Sequence, residues 1–285
     1  MVDHAIDVHH RSRMTTTSIT PPPSTLPLPS PRVDLMGLAF DNLSQREVVA
    51  RVSDAMDRGE GGWIVTPNLD QLRAFRQDPE IRSTFERADL VVADGTPLVW
   101  ASRLQGTPLP ERVAGSDLIY LMTEAAAARG ARVFLLGGNP GAGEAAAAKF
   151  AERFPGVDIC GIHCPPFGFE QDEAAWEAMV QALDDAAPDL VWVALGFPRQ
   201  DRVIGRLRDR YPDAWFAGIG ISLSFVSGEV RRAPRWLQRL GLEWVHRLAQ
   251  EPRRLFKRYF MQDLPFAPQL FASALYRRLR AGRQA

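Results

Sequence analysis

Cysteine is nearly absent from this chain. Two residues, Cys160 and Cys164, stand among 285, which excludes a disulfide framework and points to a reducing compartment. His163 lies between them, but structural zinc needs four ligands at recognisable spacing and no second cluster follows. The thiols therefore read as buried or idle, and no metal site is expected. Long apolar runs are missing as well. Nothing approaches the roughly 20 apolar residues of a membrane span, and the N-terminus lacks the apolar core of a signal peptide. The expected place is the cytoplasm, with any membrane contact peripheral. Also missing are a Walker lysine, a G-x-S-x-G elbow and an H-E-x-x-H helix. No D-x-D pair is present to hold a metal on a sugar nucleotide; Glu170 and Asp172 come nearest and read as acidic residues opening a helix.

Net charge is absent too, with 34 Lys and Arg against 34 Asp and Glu. That balance conceals a division. Residues 229–285 hold 13 basic and 4 acidic residues, whereas the other 228 hold 21 and 30. A basic tail on an acidic body suits a polyanionic partner such as an anionic membrane surface or a phosphorylated substrate. Trp236, Trp244 and Phe256 fall at helical core spacing rather than on a stacking platform, so nucleic acid is not expected.

What is present is an alternation of strands and helices. Residues 1–31 are rich in Thr, Ser and Pro (TTTSITPPPSTLPLPSP) and are expected to be disordered, and Met14 is an alternative start. Val33 to Phe40 reads as one short strand, and Ser44 with Glu47 forms a capping box for the next helix. Apolar strands follow at 63–66, 90–93, 132–136, 157–162, 189–195 and 214–220. Between them lie helices at 69–86 (restarting at Asp78-Pro79), 97–104, one to about Arg129 with Ser116 as its N-cap, one up to Phe154, 172–186 and 199–209. This pattern predicts an α/β fold with a Rossmann-like, mostly parallel sheet flanked by helices. The division is 1–32 as extension, 33–230 as catalytic domain and 231–285 as a basic helical appendage. The appendage reads as helices at 234–248, 253–262 and 269–281. They carry Leu, Phe and Trp beside arginine, the make-up of interfacial membrane elements and equally of helices docked on a body. Its removal is expected to leave the body folded. Homo-oligomerisation is left open.

Several strands end in polar or glycine turns: Thr66-Pro67-Asn68, Asp94-Gly95, Gly137-Gly138-Asn139, Gly196-Phe197-Pro198 with Gln200 behind it, and Gly218-Ile219-Gly220. In a parallel sheet these share one edge, and free amides at helix N-termini there suit a nucleotide or diphosphate. Gly141, Gly143 and Ala146 match a dinucleotide fingerprint, but four residues separate them from their strand, which argues against it and leaves no cofactor expected. The run ADLVVADG (88–95) delivers a lone carboxylate, Asp94, to the end of what reads as a central strand. Asp94 is a candidate catalytic base; the alternative is a cap on the helix after Thr96. Thr66 and Asn68 either orient substrate hydroxyls or merely shape their turn.

The segments TPNLDQL, ADLVVADGTPLVW, ERVAGSDL, VFLLGGNPG, LGFPRQ and RRAPRWLQRLGLEWVHRLAQEPRRLFKRYF resemble those of the WecG/TagA/CpsF glycosyltransferases over about residues 33–260. The resemblance implies an inverting transferase that takes a sugar from a UDP-sugar to a polyprenyl-diphosphate-linked sugar at the inner face of the cytoplasmic membrane, in surface polysaccharide synthesis. It assigns the base to Asp94 and a second catalytic place to Thr66. Substrate contacts fall to Asn68, Arg112 and Gln200, with Gly138, Asn139 and Gly196 in the glycine turns. Arg247, Arg254 and Lys257 or Arg258 are matched to the lipid diphosphate. Two departures stand out: Gln200-Asp201 where the family usually has Gln-Glu, and Leu223-Ser224 where it usually has Phe-Asp. The competing reading is a non-catalytic UDP-sugar-binding module with a membrane-associating tail.

Overall fold

The structure is a computed structural model that describes residues 31–239 and 241–283. The expected disordered extension before Pro31, and Met14 with it, lies outside the described residues. So do the side chains of Arg239 and Arg254.

The predicted first strand is a hairpin, β1 (Arg32–Leu35) and β2 (Leu38–Asp41), paired antiparallel. Its two-residue turn puts Met36 at φ 56° and Gly37 at φ 96°, the positive-φ pair that a tight hairpin demands. The sequence hid this turn because its first residue is not glycine. The main sheet holds six parallel strands in the order β4-β3-β8-β7-β5-β6. They are β3 (Gly62–Val65), β4 (Leu90–Val91), β5 (Arg132–Gly137), β6 (Asp158–His163), β7 (Leu190–Ala194) and β8 (Trp215–Gly218). Strand β4, expected at the centre, is an edge. It is nevertheless buried, because β2 covers it and the Asp41 carboxylate accepts the Val91 N–H at 2.9 Å. A parallel strand buried on both faces needs an unbroken apolar run, and an edge covered this way reads the same as a central strand.

Successive strand residues feed opposite cores. Phe134 and Leu136 enter the core on one face, Val133 and Leu135 that on the other, as the pleat requires. The first face is covered by α2 (Leu69–Gln77), α3 (Pro79–Glu86), α4 (Thr96–Gln105), α7 (Glu173–Ala186) and α8 (Arg199–Leu207). On the second lie α1 (Gln45–Asp57), α5 (Gly115–Arg129), α6 (Ala142–Arg153) and α9 (Ser222–Ser227). Ser44 and Glu47 form the expected capping box of α1. Ser116 is not a cap: α5 starts one residue earlier, with Ala114 before it and no side-chain cap bond.

The tail departs most from expectation. It consists of α10 (Arg235–Arg239), α11 (Glu243–Gln250), α12 (Pro252–Phe256), a π-helical stretch (Lys257–Asp263) and α13 (Leu264–Ala281). The LPFAP segment was expected to separate two helices, yet it is the start of α13. Helical chain runs into it unbroken from the π-helical stretch, where Leu264 N–H donates to Tyr259 O, and continues across Pro265 and Pro268 despite their missing N–H groups. Leu255, Phe266, Leu270 and Ala274 are buried, the last three in the same core as the sheet. Removing 231–285 would strip that core, so the body is not expected to stay folded without it. Conversely, Trp236, Trp244 and Phe256 are exposed at 61%, 43% and 53%, which overturns their reading as core residues. Among the described residues no helix is long and apolar enough to cross a membrane.

Candidate active site

Parallel strands end on one side, so the five predicted turns share the carboxyl edge of the sheet. There they line a single cleft of about 1600 Å³, whose opposite wall comes from the tail. Thr66, Asn68, Asp94, Arg112, Gly138, Asn139, Gly196 and Gln200 all border it, as do Arg247 and Arg258. Lys257 is exposed and does not.

Asp94 sits at the cleft floor. Its backbone N–H donates to Pro67 O at 2.9 Å, and Ala93 O accepts from Val113 N at 2.8 Å, so the chain around it is held on both sides. Gly95, and not Asp94, precedes α4, and no side chain caps that helix; the capping alternative is absent. Instead the backbone N–H of Gly115, first residue of α5, faces the Asp94 carboxylate and favours its charged form. An N-terminal amide of α5, which has no partner within its own helix, is thereby turned to the site. Burial pushes the Asp94 carboxyl up to about 7, Arg112 pulls it back, and Glu243 and Asp117 add to the rise. A carboxylate poised there is a far better proton acceptor at neutral pH than one near 4.

Thr66 and Asn68 flank this point. A Cβ on Gly115 would lie 3.5 Å from Thr66 Oγ1, and one on Gly95 would lie 3.5 Å from Asn68 Cα. Both are ordinary contact distances, so the two glycines lie close to the turns without the approach itself requiring glycine. Thr66 is buried beneath the cleft. Asn68 caps α2: its Oδ1 accepts Gln71 N at 3.2 Å, while its own N–H donates to Gln71 Oε1 at 3.0 Å. One side-chain atom thus shapes the turn and leaves the amide group for the cleft.

Gln200 also serves the scaffold, since its Oε1 accepts Gly220 N at 3.0 Å and its side chain fills the space a Cβ on Gly218 would need. Asn139 donates to Glu229 Oε2 at 3.2 Å. The Leu223-Ser224 departure splits in two. Leu223 is buried against Gly138, and Ser224 lines the cleft. Asp201, the other departure, lies fully buried and off the cleft; burial raises it to about 7, and its Oδ2 has no hydrogen-bond partner.

The tail's cations are not equivalent. Arg258 Nε lies 3.1 Å from Asp70 Oδ2 and 3.7 Å from Asp263 Oδ2, beside Arg73, in a charge cluster joining α2 to the π-helical stretch. Asp263 is raised to about 7 by burial and by Asp70. Arg247 borders the cleft, and its Nε has no hydrogen-bond partner. Sequence reasoning read the tail for basic residues and passed over its four acids, Glu229, Glu243, Glu251 and Asp263. All four line the cleft. Their rarity in a segment of 13 basic residues was the available signal. Among the described residues no three His, Cys, Asp or Glu side chains group as a metal site, and Cys160 and Cys164 are free thiols.

The chain is 34% identical over 203 residues to the N-acetylglucosaminyldiphosphoundecaprenol N-acetyl-beta-D-mannosaminyltransferase of Bacillus spizizenii (strain ATCC 23059 / NRRL B-14472 / W23), covering 70% of this chain and 75% of that one. It is 32% identical over 199 residues to the protein of the same name from Bacillus subtilis (strain 168), with the same coverage. For the Staphylococcus aureus (strain MRSA252) counterpart the figures are 28% over 226 residues, 79% of this chain and 87% of the relative. The family model for the WecG/TagA/CpsF glycosyl transferases matches residues 33–280. A doubly covered parallel sheet, a carboxylate at the floor of its carboxyl-edge cleft and a tail built into the far wall thus accompany a clear sequence match, and the chain is a glycosyltransferase of the WecG/TagA/CpsF family.

Proposed function

We propose that the cleft transfers a sugar from a UDP-sugar, of the N-acetylmannosamine type or a glucose or uronic acid relative, to a polyprenyl-diphosphate-linked sugar, with inversion at the anomeric carbon. The observation that carries this is Asp94: a carboxyl held near 7 at the cleft floor, next to an arginine and a helix N-terminal amide. Inversion needs one in-line displacement. The acceptor hydroxyl attacks the carbon opposite the leaving UDP, and its proton passes to Asp94 as it becomes acidic in the transition state. Thr66 and the Asn68 amide orient the reacting hydroxyls. Arg112 and the backbone amides of the Gly138-Asn139 and Gly196 turns meet the donor diphosphate, where charge builds as the bond breaks; Gln200 keeps the neighbouring Gly218–Gly220 turn in shape.

On the tail side, Arg247 borders the cleft, and with Arg254, Lys257 and Arg258 it is assigned to the acceptor diphosphate. Exposed Trp236, Trp244, Phe256 and Phe260 beside these cations support seating on an anionic membrane surface. The names of the relatives support the acceptor class, a sugar on undecaprenyl diphosphate. The test is UDP release from a panel of UDP-sugars with a short-chain polyprenyl-diphosphate sugar as acceptor, with and without EDTA. Acceptor-dependent release that survives EDTA is expected. Full loss with chelator, restored by manganese, would show that arginine and amides do not suffice for the leaving group.

A further inference from the structure

Glu243 is the first residue of α11, and its two oxygens take different arginines. Oε2 accepts from Arg112 Nη1 at 3.1 Å, and Oε1 accepts from Arg232 Nε at 3.2 Å. Asp117, in the first turn of α5, faces the same pair: Oδ1 accepts from Arg232 Nη1 at 2.6 Å and Oδ2 lies 3.5 Å from Arg112 Nη2. Two guanidiniums and two carboxylates therefore close a ring without net charge, each side chain only 13% to 29% exposed. Two elements of the body, the loop before α5 and α5 itself, meet two of the tail, the connector after α9 and α11, in this ring.

We propose that Glu243 is a positioning residue of the active site: with Asp117 it holds Arg112 in the cleft wall beside Asp94, and docking of α11 installs it. The inference deepens the proposed function and rests on it for the meaning of Arg112 and Asp94. Its physical sense lies in the fork of arginine, whose planar donors can meet two carboxylates at once and are fixed by doing so. The groups facing Asp94 are Arg112 from the loop, Gly115 N–H and Asp117 from α5, and Glu243 from α11. A lone Arg112 would favour the ionised carboxylate and leave a weaker base. Glu243 and Asp117 offset that charge while keeping the guanidinium where a leaving diphosphate would find it.

The experiment follows Asp94 directly, in full-length protein with carboxyl-labelled aspartate, its resonance identified by its loss in Asp94→Asn. Glu243→Gln is expected to lower the Asp94 titration midpoint by about one pH unit. Asp117→Asn should move it the same way, and Glu243→Asp should restore most of the wild-type midpoint. The acid limb of turnover should shift in parallel, which a merely structural loss would not produce. Unchanged or raised midpoints in the variants would overturn the proposal; should Glu243→Gln not fold, Asp117→Asn decides. Midpoints that fall in a protein with no UDP-sugar turnover would sustain the positioning role and refute the proposed reaction instead.

Discussion

The body and the tail bury their side chains by different rules. In the body, apolar alternation along parallel strands fills two cores, and the polar residues left over collect at strand ends. The tail shares only part of that logic. Helix α13 sends Phe266, Leu270 and Ala274 into a body core, while α10 to α12 leave Trp236, Trp244 and Phe256 in the open, and α11 and the π-helical stretch meet the body through ion pairs. Apolar packing gives α13 a place that does not depend on pH or salt. The ionic contacts of α11 and the π-helical stretch border the cleft, where charge is also what a diphosphate substrate would use. The lesson is that the tail is held at one end like core and presented at the other like a site.

The largest effect should come from breaking the core end. Phe266→Ala and Leu270→Ala should each cost about 3 kcal/mol or more in urea unfolding, in one cooperative transition. A separate tail transition with the body midpoint unchanged would erase the comparison. Next is the ionic end. Arg112→Gln should lower turnover by about a hundredfold, and Arg112→Lys should recover little, since an ammonium cannot bridge Glu243 and Asp117. Full recovery by lysine would reduce Arg112 to a point charge.

Much of the body was legible because its signals are local. Apolar runs ending in glycine or a lone polar residue named the strand-end turns, and Asp94, Thr66 and Asn68 were found that way. The position of β4 was not, because strand order depends on crossovers between distant segments and a covered edge is as apolar as a centre. Ser116 looked like a cap because serine is a capping type, yet α5 starts one residue before it. Pro265 and Pro268 looked like breakers since nothing nearby announces a helix already running into them. Glu243 was passed over because attention went to the charge the tail has in excess; its partners Arg112 and Arg232 are 131 and 11 residues away.

Two smaller effects sharpen the contrast. Trp236→Ser with Phe256→Ser should weaken binding to anionic liposomes about tenfold or more, given the transfer cost of two large apolar groups. Because both side chains are exposed, unfolding should change by less than about 0.5 kcal/mol; unchanged liposome binding would remove the membrane role of α10 to α12. The smallest concerns Asp201. Burial raises its folded pKa to about 7 from 3.8, so the native state holds a proton that the unfolded chain releases. Its contribution is therefore most favourable below about pH 4 and is lost as pH rises toward 7. Asp201→Asn should gain stability relative to wild type between pH 5 and pH 8, by about 1 kcal/mol or more in matched denaturation curves. A difference that does not change with pH would place a charged carboxylate there throughout.

The central claim is that Asp94 takes the proton of the attacking hydroxyl, and turnover of Asp94→Asn measured beside UDP affinity in the same samples tests it most directly. The account predicts turnover reduced by about a thousandfold with UDP affinity retained. Wild-type turnover in Asp94→Asn, or UDP affinity lost in step with turnover, would contradict it.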